Sequence, residues 1–184
     1  NDLKNNIDNT KEVTHNELRA AEDVIFTSNI DELVISDVFI VTVPTPIDEA
    51  KNPNLKPLKD ACKNIGNVIK KRISNSHNKK KCNPVIIFES TVYPGATEEE
   101  CIPIIEQFSD LKLNEDFYVG YSPERINPGD KKHRLKDIIK VTSGSNDASA
   151  EWINNLYLSI INAGTYKCEC IKVAEAAKVI ENTK

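Results

Sequence analysis

The chain lacks several features that would assign it to a functional class at once. It has no methionine, and 28 acidic against 24 basic residues give it a net charge of −4. No apolar run approaches the roughly 20 residues of a membrane-spanning helix, and its beginning does not resemble a signal peptide. The charge offers no cationic surface for nucleic acid or anionic lipid. We therefore expect neither nucleic acid nor a membrane as a partner.

Cysteine and glycine are present without the patterns that would define a site. The five cysteines are odd in number and fit no zinc spacing, so we expect no metal and reduced thiols in a cytoplasmic protein. Cys168 and Cys170 are two residues apart, which on a predicted strand places both on one face. The six glycines are scattered and form no Gly-x-Gly-x-x-Gly turn. If this chain binds a dinucleotide, the pyrophosphate-binding turn is missing from it.

What the sequence does contain is an alternation of strand and helix patterns. An apolar content of 39% and a charged content of 28% are typical of a globular domain. The predicted strands are 24–27, 37–43, 84–88, 117–120, 138–142 and 166–170. The predicted helices are 18–21, 58–69, 97–108, 152–160 and 171–184. This alternation predicts an α/β fold, a Rossmann-like doubly wound parallel sheet truncated at its N-terminus and leading into a long connecting helix.

Two predicted helix starts and one basic segment have specific interpretations. Thr14 to Glu17 has the pattern of a capping box, and Thr97 is predicted to cap the helix that follows it. The basic segment 70–81 could hold a phosphate, but its Asn and Ser content favours a solvated surface connection.

Polar residues follow three of the predicted strands. They are Thr45 within Val-Pro-Thr-Pro, then Ser90 and Thr91, then Glu124 and Arg125. In open α/β sheets the carboxyl ends of the strands are where ligands bind. The simpler interpretations are a strand stop, an ordinary turn and a surface ion pair. A carboxylate at such a strand end could instead act as a general base.

The last predicted helix carries Glu175, Lys178 and Asn182 on one face. Its opposite face is apolar, with Val173 and Ile180 among its residues. The polar face is either simply solvated or presents the Lys and Asn side chains, one turn apart, as donors to a developing oxyanion.

The order of these motifs resembles one known family. Residues 41–46 (VTVPTP), 89–95 (ESTVYPG), 121–130 (YSPERINPGD) and 174–182 (AEAAKVIEN) resemble the nucleotide-sugar (UDP-glucose/GDP-mannose) 6-dehydrogenases. Within that family the chain looks most similar to the bacterial UDP-N-acetylhexosamine dehydrogenases of polysaccharide synthesis, of the Vi-antigen type. The resemblance covers nearly the whole chain.

The resemblance implies an NAD-dependent oxidation of a sugar's C6 alcohol to a carboxylate, in two hydride transfers through a cysteine-bound intermediate. The residues implied for the NAD site are Val43, Pro44, Thr45, Ser90 and Thr91. The residues implied for the UDP-sugar are Glu124, Arg125, Ile126, Asn127, Lys178 and Asn182. It further implies capsule or O-antigen biosynthesis as the biological setting, and we expect the complete protein to be a homodimer or a higher homo-oligomer.

Four of these residues have implied catalytic roles. In members of the family that this chain resembles, the residue at Thr91 positions the catalytic water, and the one at Glu124 is the base that hydrolyses the thioester. The residues at Lys178 and Asn182 stabilise the oxyanion. Residues 1–170 would be the remainder of the NAD-binding Rossmann-like domain, and 171–184 the start of the central connecting helix.

The sequence departs from the family pattern in two respects. Several UDP-glucose enzymes have a second glutamate four residues after the first, whereas this chain has Pro128, which argues against UDP-glucose itself. The Gly-rich turn and the catalytic cysteine in a Gly-Gly-His-Cys setting are absent, and the chain begins at Asn1. We interpret it as a fragment that is inactive and binds NAD poorly alone. The alternative is a non-catalytic nucleotide-sugar-binding or assembly domain.

Overall fold

The computed structural model describes residues 2–10, 13–47, 53–74, 82–125 and 137–182, of which the side chain of Asn182 is left out. By its internal contacts the chain divides into two units, residues 1–32 and 33–184. Among the described residues, no helix is long and apolar enough to cross a membrane.

In the described residues of the first unit, a 3-10 turn (Leu3–Asn5) precedes one short α-helix, α1 (His15–Ala20). The predicted capping box is confirmed, because the Glu17 amide donates to Thr14 Oγ1 at 3.3 Å and the Thr14 amide donates to Glu17 Oε2 at 2.9 Å. The predicted strand at 24–27 is wrong, since these residues have no regular secondary structure. A strand needs a hydrogen-bonded neighbour, and the described residues of this unit contain no other strand.

The second unit is built on a five-stranded sheet in the order β1-β2-β3-β4-β5. Its strands are β1 (Val38–Val41), β2 (Val85–Phe88), β3 (Tyr118–Tyr121), β4 (Lys140–Gly144) and β5 (Thr165–Lys167). Its helices are α2 (Lys56–Ser74), α3 (Ile102–Ser109), α4 (Asp147–Leu158) and α5 (Ile171–Asn182). A π-helical turn, Thr97–Cys101, leads directly into α3.

The sheet is mixed rather than wholly parallel. The β1–β2, β2–β3 and β4–β5 pairs are parallel, as predicted, but β3 and β4 are antiparallel, with Gly120 opposite Gly144. An antiparallel neighbour needs no crossover helix. The proline-containing sequence between these two strands shows no helical pattern, so the reversal of direction agrees with the local sequence.

Both faces of the sheet are covered, which confirms the doubly wound arrangement. All four residues of β2 are buried, as expected of a central strand covered on both sides. Ile86 and Phe88 belong to the larger core cluster with residues of α2 and α3, whereas Val85 and Ile87 pack with Ile153 of α4. Because side chains alternate along a strand, the residue after Phe88 is directed towards the α4 side.

The basic segment at the end of α2 differs from its prediction. The helix continues through Ser74, and Arg72 is buried with 1% exposure instead of lying on a solvated connection. Its guanidinium forms an ion pair with Asp37 and donates to the carbonyls of Ser36 (2.6 Å) and Cys82 (3.3 Å). Arg72 therefore joins the starts of β1 and β2, while residues 75–81 lie outside the described residues.

All five cysteines are free thiols. The predicted placement of Cys168 and Cys170 on one strand face is wrong, because β5 ends at Lys167. Cys168 is buried and Cys170 is exposed just before α5.

We predict that Arg72→Ala lowers the free energy of unfolding by about 2–3 kcal/mol, because two carbonyls lose a charged donor in a buried setting. Lys71→Ala is the matched control on the exposed side of the same helix, with an expected change of about 0.5 kcal/mol or less. Urea denaturation measures both variants. Equal stability of the two would show that Arg72 contributes nothing beyond an ordinary surface residue.

Candidate functional site

A cavity of about 280 Å³ lies at the carboxyl ends of β1 and β2. It is lined by Thr42, Val43, Pro44, Thr45, Glu89, Ser90, Thr91 and Glu124. The structure thus brings together, from the ends of three strands, all five residues predicted for the NAD site and the predicted base Glu124. This is the edge at which an α/β sheet binds its ligands.

Hydrogen bonds fix the three loops of this cavity to one another. Ser90 Oγ donates to the carbonyl of Val43 at 2.6 Å, and the hydroxyl of Tyr121 donates to the carbonyl of Ser90 at 3.2 Å. Burial, and then the negative charge of Glu175, raise the pKa of Tyr121 well above its usual value, so the hydroxyl remains a donor. The loop after β2 is thereby held between the other two.

Two threonines of the cavity differ in their surroundings. The Thr45 hydroxyl oxygen is buried and has no hydrogen-bond partner among the described residues, although buried polar atoms are normally paired. Thr91 is exposed. Thr45 therefore offers an unused donor and acceptor to a ligand, and Thr91 is accessible to solvent.

Glu124 and Arg125 do not form the surface ion pair considered above. Glu124 is half-buried, and its Oε1 accepts a hydrogen bond from the amide N–H of Arg125 at 2.7 Å. Arg125 Nε lies 3.0 Å from both carboxylate oxygens of Glu181 on α5, and its Nη1 donates to the carbonyl of Ile139 at 2.8 Å. Arg125 therefore connects this loop to α5. Ile126 and Asn127 lie outside the described residues.

Glu175 makes the second connection from α5, and it is completely buried. Its Oε2 accepts from the amide of Gly95 at 2.5 Å and its Oε1 accepts from the amide of Thr97 at 2.9 Å. The prediction that Thr97 caps its own helix is wrong, because the Thr97 hydroxyl has no partner in the described part of the chain. A carboxylate from another helix takes that place, where the positive end of the helix dipole favours negative charge.

Helix α5 buries polar side chains and exposes apolar ones, in addition to burying Ile171 and Ala174 in the core. Glu175 on the polar face is buried and Lys178 is half-buried, whereas Val173 and Ile180 on the apolar face are 47% and 61% exposed. Lys178 lies on α5, which Arg125 and Gly95 connect to the cavity loops, but it is not among the residues lining the cavity. The position of the Asn182 side chain lies outside the described residues.

Sequence reasoning missed three polar residues beside the cavity. The hydroxyl of Tyr157 on α4 donates to Glu89, and Lys140 Nζ lies 3.3 Å from Glu89 Oε1. For Glu89 the sequence does contain a signal, its place directly after a buried strand. Lys140 and Tyr157 carried no local signal, because only the tertiary fold brings β4 and α4 to that strand end.

Comparison with known proteins identifies the family. Residues 7–161 match the NAD binding domain of the UDP-glucose/GDP-mannose dehydrogenase family. The chain belongs to this family. A UDP-N-acetyl-D-glucosamine 6-dehydrogenase of Pseudomonas aeruginosa is 56% identical over 183 residues, which are 100% of this chain and 41% of that relative. One of Salmonella typhi is 52% identical over 183 residues, 100% of this chain and 40% of that relative.

Solved structures agree with the fold. A UDP-D-ManNAc dehydrogenase from Pyrococcus horikoshii superimposes with a TM-score of 0.75 at 27% identity, over 92% of this chain and 37% of that one. A GDP-mannose dehydrogenase from Pseudomonas aeruginosa superimposes with a TM-score of 0.78 at 23% identity, over 92% of this chain and 37% of that one. The chain spans about two fifths of the length of the two UDP-N-acetyl-D-glucosamine 6-dehydrogenases that it matches.

The cavity fits a part of the family's cofactor, NAD. Its volume of about 280 Å³ is near the lower limit of small-molecule pockets, enough for one ring system of a dinucleotide. Val43 and Pro44 offer apolar surface, and the unpaired Thr45 hydroxyl offers a polar contact. These are the two kinds of group with which pockets hold flat heterocycles.

We predict that Glu175→Gln lowers the free energy of unfolding by about 1.5–3 kcal/mol, the range for a hydrogen bond to a charged group. A glutamine has one acceptor oxygen for two amide donors, and its own NH₂ then faces the other N–H. Thermal and urea unfolding measure the effect. Glu98→Gln is the control, since Glu98 is an exposed carboxylate on the Thr97–Cys101 turn whose first amide Glu175 binds. Stability equal to that of the control would show that the buried bonds are not important.

Proposed function

We propose that this chain is the NAD-binding part of an NAD-dependent UDP-N-acetylhexosamine 6-dehydrogenase. The complete enzyme oxidises the C6 alcohol of the sugar to a uronic acid for surface polysaccharide such as capsule or O-antigen. The supporting observation is the similarity to two UDP-N-acetyl-D-glucosamine 6-dehydrogenases along the whole chain, at 56% and 52% identity. Residues 1–170 form the cofactor domain in this proposal, and 171–184 begin the connecting helix.

In the proposed site, some residues have more than one role. NAD supplies the hydride acceptor when it is bound. Val43, Pro44, Thr45, Ser90 and Thr91 hold the cofactor against the ends of β1 and β2. Thr91 holds the attacking water and Glu124 takes its proton, and the geometry that supports these roles is that both residues line the same cavity.

The remaining predicted residues belong to α5 and to the segment that follows β3. Lys178 and Asn182 are the proposed oxyanion donors, and the two connections through Arg125 and Glu175 support a fixed position of α5 relative to the loops. Arg125, Ile126 and Asn127 contact the nucleotide sugar in this proposal. The Arg125 guanidinium already has partners in Glu181 and Ile139, so it would bind the sugar with its remaining N–H groups.

We also propose a homo-oligomeric state and a cytoplasmic location for the complete protein. The exposed apolar residues of α5, among them Val173 and Ile180, support a homodimer or higher homo-oligomer of the complete protein. Five free thiols support a cytoplasmic location, where cysteines stay reduced.

Glu124→Gln in the complete enzyme tests the role of the base. A glutamine cannot take a proton from water, so hydrolysis should stop after the oxidised sugar is captured on the enzyme's cysteine. We expect a burst of NADH followed by near arrest, with the adduct visible in the intact mass. Glu98→Gln is the control and should turn over normally. Slow, linear formation of NADH without an adduct would mean that Glu124 acts in an earlier step. Normal turnover of the variant would mean that the loop carrying Glu124 is an ordinary turn.

Lys178→Ala tests the oxyanion donor. We expect turnover to fall on the order of a hundredfold, the scale for loss of one such donor, with a much smaller change in substrate affinity. Lys172→Ala removes a lysine of the same helix that pairs with Glu99 on the surface, and it should leave turnover within about a factor of two. Equal turnover of the two variants would mean that the face carrying Lys178 has no catalytic role.

A further inference from the structure

A group of three polar residues lies against one wall of the cavity. Glu89 follows β2 directly, Lys140 is the first residue of β4, and Tyr157 is near the end of α4. The Tyr157 hydroxyl donates to Glu89 Oε1, and Lys140 Nζ lies 3.3 Å from the same oxygen and 5.2 Å from the centre of the Tyr157 ring. We call these residues the Glu89 cluster.

The cluster occupies a place where apolar residues would be expected. Val85 and Ile87 precede Glu89 on the same face of the chain and pack with Ile153, Tyr157 and Ile161. Lys140 is only 2% exposed and Tyr157 only 3%. Taking such charges out of water costs free energy that well-packed apolar side chains would avoid, so packing alone does not account for the cluster.

The two partners of Glu89 both contact one of its oxygens. Burial, followed by the charge of Glu89, raises the pKa of Tyr157 far above its usual value, so its hydroxyl stays protonated and donates. The Lys140 ammonium balances the carboxylate charge. Oε2 accepts no hydrogen bond from the described part of the chain, and Glu89 lines the cavity together with Thr45, Ser90 and Glu124.

We propose that Glu89 binds ligand directly in this cavity, its Oε2 accepting a hydrogen bond from an N–H or O–H group, with Lys140 and Tyr157 as positioning residues. A carboxylate only accepts, so it selects donors and repels phosphate. The donors of this kind nearest the reacting atoms are the carboxamide of the nicotinamide and a hydroxyl of the sugar. The carboxamide is favoured because Glu89 shares the cavity with Thr45 and Ser90, which are predicted to bind NAD. This inference rests on the proposed function.

The test uses the complete dehydrogenase with Glu89→Gln, which keeps the shape but turns an NH₂ group towards the ligand. Titration calorimetry measures the Kd of NAD and of UDP-N-acetylglucosamine. We expect the Kd of NAD to rise tenfold or more, the scale of a hydrogen bond to a charged group, while the Kd of the sugar nucleotide changes little. A rise in the sugar Kd alone would assign the same acceptor to a sugar hydroxyl instead.

A cofactor analogue provides a second readout. The 3-acetylpyridine analogue of NAD carries a methyl ketone in place of the carboxamide and has no N–H there. The wild type should bind NAD more tightly than this analogue, and Glu89→Gln should remove most of that difference. Tyr157→Phe takes one bond from Glu89 and should raise the Kd of NAD by about threefold, less than the loss of Glu89 itself, because Lys140 still holds the carboxylate. It also tests the proposal if Glu89→Gln does not fold.

The control is Glu98→Gln, an exposed carboxylate on the surface of the same domain. Unchanged Kd values for both ligands in a folded Glu89→Gln enzyme, with the preference for NAD over the analogue intact, would overturn the proposal and make the cluster structural. A wild-type enzyme that reduces no NAD with any UDP-sugar would instead refute the proposed function. The two failures are therefore distinguishable.

Discussion

The buried carboxylate of Glu175 is the constraint on which the arrangement of the site depends. It lies on α5, and its two oxygens hold the amides of Gly95 and Thr97 at the start of the helix that follows the β2 loop. That loop carries Ser90 and Thr91, so a helix late in the chain fixes the geometry of a loop about 80 residues earlier. Gly95 has φ of +98°, a conformation that glycine adopts readily and that brings its amide towards the carboxylate.

The cavity is formed by loops that are rigid for different reasons. In the loop after β1, Pro44 and Pro46 flank Thr45 and restrict its backbone through their rings, with no need of a hydrogen-bond partner. The loop after β2 is held by Tyr121, by Glu175 and by its own Ser90 bond to Val43. Such preorganised loops present their polar groups at little entropic cost to a ligand.

Charge is distributed unusually around this edge of the sheet. Glu89 and Lys140 are charged residues inside the domain, while Val173 and Ile180 face outwards on α5. In both places a polar group takes an inward position: Glu89 lines the cavity, and Glu175 of α5 accepts from the amides of Gly95 and Thr97. For α5 the cost is apolar surface left exposed within this chain, which is the kind of surface that proteins bury against a partner.

The sequence by itself determined the helix and strand order of the second unit, because buried strands and amphipathic helices have periodicities of their own. It also determined which strand ends carry polar residues. Only the tertiary structure decided the antiparallel β4, the burial of Arg72 and the cap of the helix at Thr97. Each of these depends on a partner distant in sequence: β3 for β4, Asp37 for Arg72 and Glu175 for Thr97. Local patterns carry no information about which distant group will be the neighbour, and the Glu89 cluster was missed for the same physical reason.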